Sequence, residues 1–119
     1  MGNYKFRIDF LEKAERFLDG MNEKARRKVL YNIWKVRSTN DKELFEKLQG
    51  EIWEFRTKYN QTYYRLFAFG DRTDKTDTIV VVTHGLVKKT DKISRSEIKQ
   101  AEKWRERYFS EKRAADEEV

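Results

Sequence analysis

The sequence predicts a small single α+β domain in the order β-α-α-β-β-β-α, with a mainly antiparallel sheet and its helices packed on one face. Three observations predict it. Apolar residues recur at spacings of three and four through 11–36 and again after Ser94, as helices that bury one stripe require. Between 52 and 87 the pattern changes to alternation and then to a short continuous apolar run, as strands do. The chain has 119 residues, and its 3 Trp, 6 Tyr and 8 Phe each bury enough area to build one core.

Tyr4, Phe6 and Ile8 alternate with basic residues and predict a first strand over 4–8. From Phe10 the spacing becomes helical. Leu11, Ala14, Phe17, Leu18 and Met21 share a stripe, which Asp19-Gly20 ends. Asn22 is a good N-cap for a second helix. There Ala25, Val29, Ile33 and Val36 form the inward stripe, widened by Leu30 and Trp34. Its basic residues, among them Lys28 and Lys35, read as a solvated face rather than one that touches RNA. STND (38–41) is a turn cluster, and Leu44, Phe45 and Leu48 predict a helical turn closed by Gly50.

Three strands follow. IWEFRTKY (52–59) alternates Trp53 and Phe55 with Glu54 and Arg56. TYYRLFAF (62–69) follows a tight Asn-Gln link, which predicts a hairpin. DTIVVVTHGLV (77–87) is the most apolar segment and predicts the central strand. Ser94-x-x-Glu97 reads as a capping box opening the last helix. The domain is expected over 1–112, with RAADEEV (113–119) as a charged, frayed tail.

Lys and Arg number 27 against 21 Asp and Glu, a net charge of +6. That balance favours polyanionic partners. The chain has no cysteine, so it forms no disulfide and has no thiol nucleophile; its single histidine excludes a multi-histidine metal site. No apolar run approaches the ~20 residues of a membrane helix. No signal-peptide pattern precedes the first strand, and a cytoplasmic, metal-free and cofactor-free protein is expected.

No phosphate loop, dinucleotide fingerprint or hydrolase motif is present. What remains is a constellation of Arg56, Arg65, His84, Lys88 and Lys89, with Lys58, Tyr63, Tyr64 and Glu54 nearby. Residues two apart on a strand share a face, so Glu54, Arg56 and Lys58 lie opposite Trp53 and Phe55. If the aromatics meet the helices, the cations converge on an open face. Such a groove suits phosphodiester cleavage. Guanidinium and ammonium groups offset the charge that builds on phosphorus, and an imidazole can move the proton. The alternative for His84 is a structural strand-end residue. For Lys88 and Lys89 it is a solubilising loop.

LQGEIWEFR (48–56), YYRLFAF (63–69) and VVVTHGLVKKTDKISRSEIKQA, ending at Ala101, resemble the RelE/HigB superfamily of toxin–antitoxin toxins, in its phage-associated HigB-like branch. The resemblance runs from residue 4 to about residue 109 and implies a compact RelE-like fold. It further implies a ribosome-dependent, metal-independent mRNA endoribonuclease that inhibits translation. Arg65 and Arg56 would be catalytic with His84, while Lys88, Lys89, Lys58 and Tyr63 would bind RNA. The implied partners are mRNA, the ribosome and a cognate helix-turn-helix antitoxin of the HigA type, the free toxin being a monomer. Many members place a tyrosine before the final helix or a histidine in the C-terminal tail, and this chain has neither, so its general base and acid are open. The superfamily also holds ParE-like gyrase inhibitors, and a non-catalytic nucleic-acid-binding relative is a third reading.

Overall fold

A computed structural model of the chain describes residues 6–39, 41–88 and 92–117. Tyr4 and Lys89 lie outside them. The elements are β1 (Arg7–Phe10), α1 (Glu12–Asp19), α2 (Glu23–Ser38), β2 (Phe45–Gln49), β3 (Ile52–Tyr59), β4 (Thr62–Asp71), β5 (Ile79–Lys88) and α3 (Arg95–Glu117). The five strands form one sheet in the order β1-β5-β4-β3-β2. β1 pairs with β5 in parallel, and the other pairs are antiparallel. The predicted α+β class and mainly antiparallel sheet are therefore observed.

Local rules explain most elements. The Asn22 side chain accepts from the backbone N–H of Lys24 at 2.9 Å and of Ala25 at 3.4 Å, and so starts α2. Asn60 and Gln61 both adopt positive φ, of 50° and 60°, in the tight β3–β4 hairpin. Ala25, Val29, Ile33 and Val36 are buried as expected. Leu30 and Trp34 are not part of that stripe and stand exposed.

The segment 45–49 is a strand, not a helical turn, and Leu44 lies in the turn before it. Phe45 pairs with Phe55, and its ring stacks on Trp53 at 4.8 Å and on Phe55 at 4.3 Å. Phe45 serves one face of the sheet, while Leu48, at a bulge, serves the other. A strand covered on both faces places apolar residues at odd spacing, which imitates a helix. Gly50, at φ 56°, turns the β2–β3 connection instead of ending a helix.

The helices do not share one face. α1 and α2 pack on the side of Phe55, Leu66, Ala68, Val80 and Val82. α3 packs on the other, where Ala101, Ile98, Tyr108 and Phe109 cover Ile52, Phe67, Phe69 and Val81. The reason is the continuous apolar run in β4 and in β5, which creates two apolar faces, each needing a cover. α3 continues to Glu117, its last turn exposed. Among the described residues, no helix is long and apolar enough to cross a membrane.

Two buried polar anchors set α3 on the sheet. At one, the Asp71 carboxylate accepts from the Tyr108 hydroxyl at 2.6 Å and from Lys112 Nζ at 2.7 Å. Burial pushes the Asp71 carboxyl up, but the bonds from Lys112, Tyr108 and Thr73 outweigh it and hold the group well below the usual carboxylate range. At the other, His84 meets Glu97, described below.

On the opposite face, Gly85 admits α1. A Cβ there would lie 2.4 Å from the Phe17 ring. Gly85→Ala is therefore expected to destabilise the fold by about 1–3 kcal/mol through overpacking. The urea midpoint of the variant measures this, and an unchanged midpoint would show that Phe17 moves aside freely.

Candidate polyanion-binding site on the sheet

The strand register brings the basic residues together on the α3 side of the sheet. Lys58, Tyr63 and Lys88 lie side by side across β3, β4 and β5. The next rung holds Arg56, Arg65 and Leu86, and the one after it Glu54, Phe67 and His84. Apart from Lys89, outside the described residues, every residue singled out in the sequence for catalysis or RNA binding falls on these three rungs.

The rungs differ in access to water. Lys58 is exposed, and Tyr63, Lys88 and Arg56 are half-buried. Arg65 is 1% exposed, Glu54 2% and His84 2%. The face predicted to be open is thus open only at its Lys58–Tyr63–Lys88 end, because α3 closes the other.

Two arginines side by side would repel, and Glu54 lies within reach of both. Arg65 Nη1 donates to Glu54 Oε1 at 2.6 Å, and Arg56 Nε stands 3.5 Å from the same oxygen. Arg56 Nη2 also bonds Glu46 Oε2 at 2.5 Å and the Lys42 carbonyl at 2.7 Å. The Tyr63 ring lies between cations, with Lys58 Nζ 5.4 Å and Arg65 Cζ 5.6 Å from its centroid. Lys88 Nζ donates to the Lys92 carbonyl at 2.7 Å.

A cleft of about 450 Å³ opens beside these residues, at the part of the β3 edge that β2 leaves uncovered. Arg56, Lys58, Tyr63 and Arg65 line one side. Lys28, Asn32 and Lys35 of α2 line another. The Asn32 amide donates to Thr57 Oγ1 at 3.0 Å and fastens α2 against β3. Asp41 and Glu43 are the acidic members, so cations outnumber carboxylates in the cleft. Positions 28, 32 and 35 share a helix face, which the sequence shows. That this face borders β3 is a tertiary fact, and the reading of it as merely solvated missed it.

His84 does not line the cleft. Its ring stacks on Phe67 at 4.9 Å. Nδ1 lies 2.8 Å from the Thr83 hydroxyl and Nε2 lies 3.1 Å from Glu97 Oε2. A neutral ring protonated at Nε2 satisfies both contacts. Glu97 thus spends this oxygen on the sheet, where the sequence suggested a capping box with Ser94. Proton transfer to a substrate by this imidazole requires the first turn of α3 to move, since a base must reach the proton it takes.

Burial pushes the His84 imidazole below its ordinary value, against the opposing pull of the Glu97 carboxylate. The unfolded chain takes up a proton near pH 6.5 that the folded chain resists. Stability contributed by His84 is therefore present above that pH and is lost as pH falls through it, down to the folded pKa. Urea midpoints between pH 7.5 and 5.5, approximate limits chosen to bracket that value, are expected to fall for the parent and to fall less for His84→Gln. Equal slopes would remove His84 as their source.

The surplus of cations in the cleft and on the open rung beside it suits a polyanion at this end of the sheet. Comparison with curated proteins finds no match. The family model described as Phage derived protein Gp49-like (DUF891) matches residues 16–106, from α1 into α3, and so spans every rung of the site. With most of its length matched, the chain belongs to the Gp49-like family of phage-derived proteins.

Proposed function

We propose that this protein is the toxin of a toxin–antitoxin pair and that it cleaves mRNA on the ribosome, in the manner of HigB-type interferases. The observation that carries the reading is the convergence of Lys58, Tyr63, Lys88, Arg56 and Arg65 on adjacent rungs beside a net-positive cleft. The Gp49-like family, known for RelE-like toxins, supports it.

In this reading the RNA backbone enters at the open end, where Lys58 and Lys88 meet phosphates without reading bases, and Lys89 adds a further RNA-binding cation. Tyr63 offers a ring face to a base. The 2′-hydroxyl gives up its proton and attacks the adjacent phosphorus, the 5′ oxygen leaves and takes up a proton, and a 2′,3′-cyclic phosphate results. Arg56 meets the charge that develops on the non-bridging oxygens. Arg65 stands behind it, its guanidinium oriented by Glu54. His84 keeps α3 closed over the third rung and serves as a proton-transfer group only when that turn opens. The partner that silences the toxin is a helix-turn-helix antitoxin, and the free toxin acts as a monomer in the cytoplasm.

Induced expression in a bacterial host, with primer extension on a translated message, tests the reading. New 5′ ends are expected within the coding region, and they should vanish when the start codon of that message is removed. Intact messages, together with inhibition of gyrase supercoiling by the purified protein, would instead establish the ParE-like alternative.

A further inference from the structure

The outward strip of α2 is unlike an ordinary solvated helix face. At 3.6 residues per turn, Arg27, Leu30, Tyr31 and Trp34 project away from the buried Ala25, Val29 and Val36. Leu30 is 39% exposed, Tyr31 59% and Trp34 51%. Three large apolar side chains within two adjacent turns make a patch, whereas scattered single exposures need no explanation. Lys24, Lys28 and Lys35 run along one flank, Arg26 and Arg37 along the other. Glu23 is the only carboxylate on the helix, and it is bonded to Arg27 at 2.6 Å. The flanking cations already lean on the rings, Lys28 Nζ 5.7 Å from the Tyr31 centroid and Arg37 Cζ 4.9 Å from that of Trp34.

We infer that this strip is a docking surface for an acidic amphipathic helix of a partner protein. An apolar ridge between two rows of cations is complementary to a helix with an apolar stripe edged by Asp and Glu on both sides. Tyr, Trp and Arg are also the residue types that dominate binding hot spots. RNA fits the strip less well. Leu30 offers no ring for a base to stack on, the strip is a convex ridge, and the groove that could track phosphates lies on the neighbouring side at Lys28 and Lys35. The inference does not depend on RNA cleavage.

Calorimetry on the full chain at physiological salt tests it with designed peptides of about 18 residues, long enough to form a helix. One peptide carries Leu and Ile at i, i+3, i+4 and i+7 with Glu on both flanks. A second has the same composition scrambled, and a third has Lys in place of Glu. The first is expected to bind with a Kd below about 100 μM, and the scrambled and lysine peptides about 10-fold or more weakly. Leu30→Ser with Tyr31→Ser, both exposed changes that leave the core intact, is expected to weaken the first peptide about 10-fold or more. Amide shifts on binding should concentrate on α2. Lys58→Glu with Lys88→Glu is expected to leave peptide affinity within about twofold, which separates this surface from the cleft. Equal binding of the scrambled peptide would reduce the strip to bare charge and overturn the inference. So would absence of binding by the first peptide. It would also fall if the Leu30/Tyr31 variant lost binding to a uridine oligomer or to phosphatidylglycerol vesicles, or lost a self-association that the parent shows.

Discussion

Arg65→Ala is expected to lower the unfolding free energy by about 3–5 kcal/mol, because it removes one member of a buried ion pair and leaves the other. Arg65 and Glu54 are 1% and 2% exposed and lie 2.6 Å apart. Urea unfolding measures the loss. Arg56 stands 3.5 Å from the same carboxylate oxygen and offsets part of it, so the lower end of the range is the more realistic. Replacing the pair together, Glu54→Leu with Arg65→Met, removes both charges and keeps volume. That double variant is expected to recover most of the stability. It also separates two roles that the single variant confounds. If the double variant folds and has lost growth inhibition, the Arg65 guanidinium contributes to function. If it folds and inhibits growth as the parent does, Arg65 is a structural residue, and Arg56 must meet the phosphate alone.

Lys58→Glu with Lys88→Glu is expected to leave the melting temperature nearly unchanged and to weaken ribosome and RNA association roughly 10²-fold at moderate salt. Lys58 is exposed and Lys88 half-buried, so neither change burdens the core. The readout that distinguishes phosphate contact from misfolding is salt dependence. Each lost phosphate contact lowers the slope of log affinity against log salt by about one unit. Reversal of both lysines should thus flatten the slope by about two units and abolish the new 5′ ends in primer extension. A parent whose association ignores salt would remove the electrostatic basis of the site.

The two predictions rest on residues that were legible to different degrees. Alternation along β3 was sufficient to place Glu54, Arg56 and Lys58 on the face opposite Trp53 and Phe55. Arg65 stood out as a cation on the neighbouring strand, the resemblance added its catalytic role, and Lys88 followed from its place at the end of an apolar strand. The rung structure joining them was not legible, because it depends on register across three strands and on a bulge between Phe67 and Ala68 in the β4–β5 pairing. Lys28 and Lys35 were visible as cations on one helix face, yet their place beside the cleft needed the Asn32–Thr57 contact, which links residues 25 apart in sequence.

His84 shows the same division. As the only histidine, ending the most apolar strand, it marked a position of interest. Its partner was read locally, since Glu97 three residues after Ser94 imitates a capping box. In the fold that carboxylate crosses to His84, because a buried imidazole needs a polar partner more than an exposed helix end does.

By itself, then, the sequence determined the helices, the three long strands, the faces that their residues share and the surplus of positive charge. Those properties follow from local periodicity and composition, which each segment carries alone. Only the tertiary structure decided that α3 covers the face predicted to be open, that 45–49 is an edge strand, and that Arg65 and His84 lie inside while Lys58 and Lys88 reach water. These depend on which apolar face seeks cover and which buried polar groups find partners. Asp71 with Tyr108 and Lys112, and His84 with Glu97, settle both at once, through contacts between segments far apart in the chain.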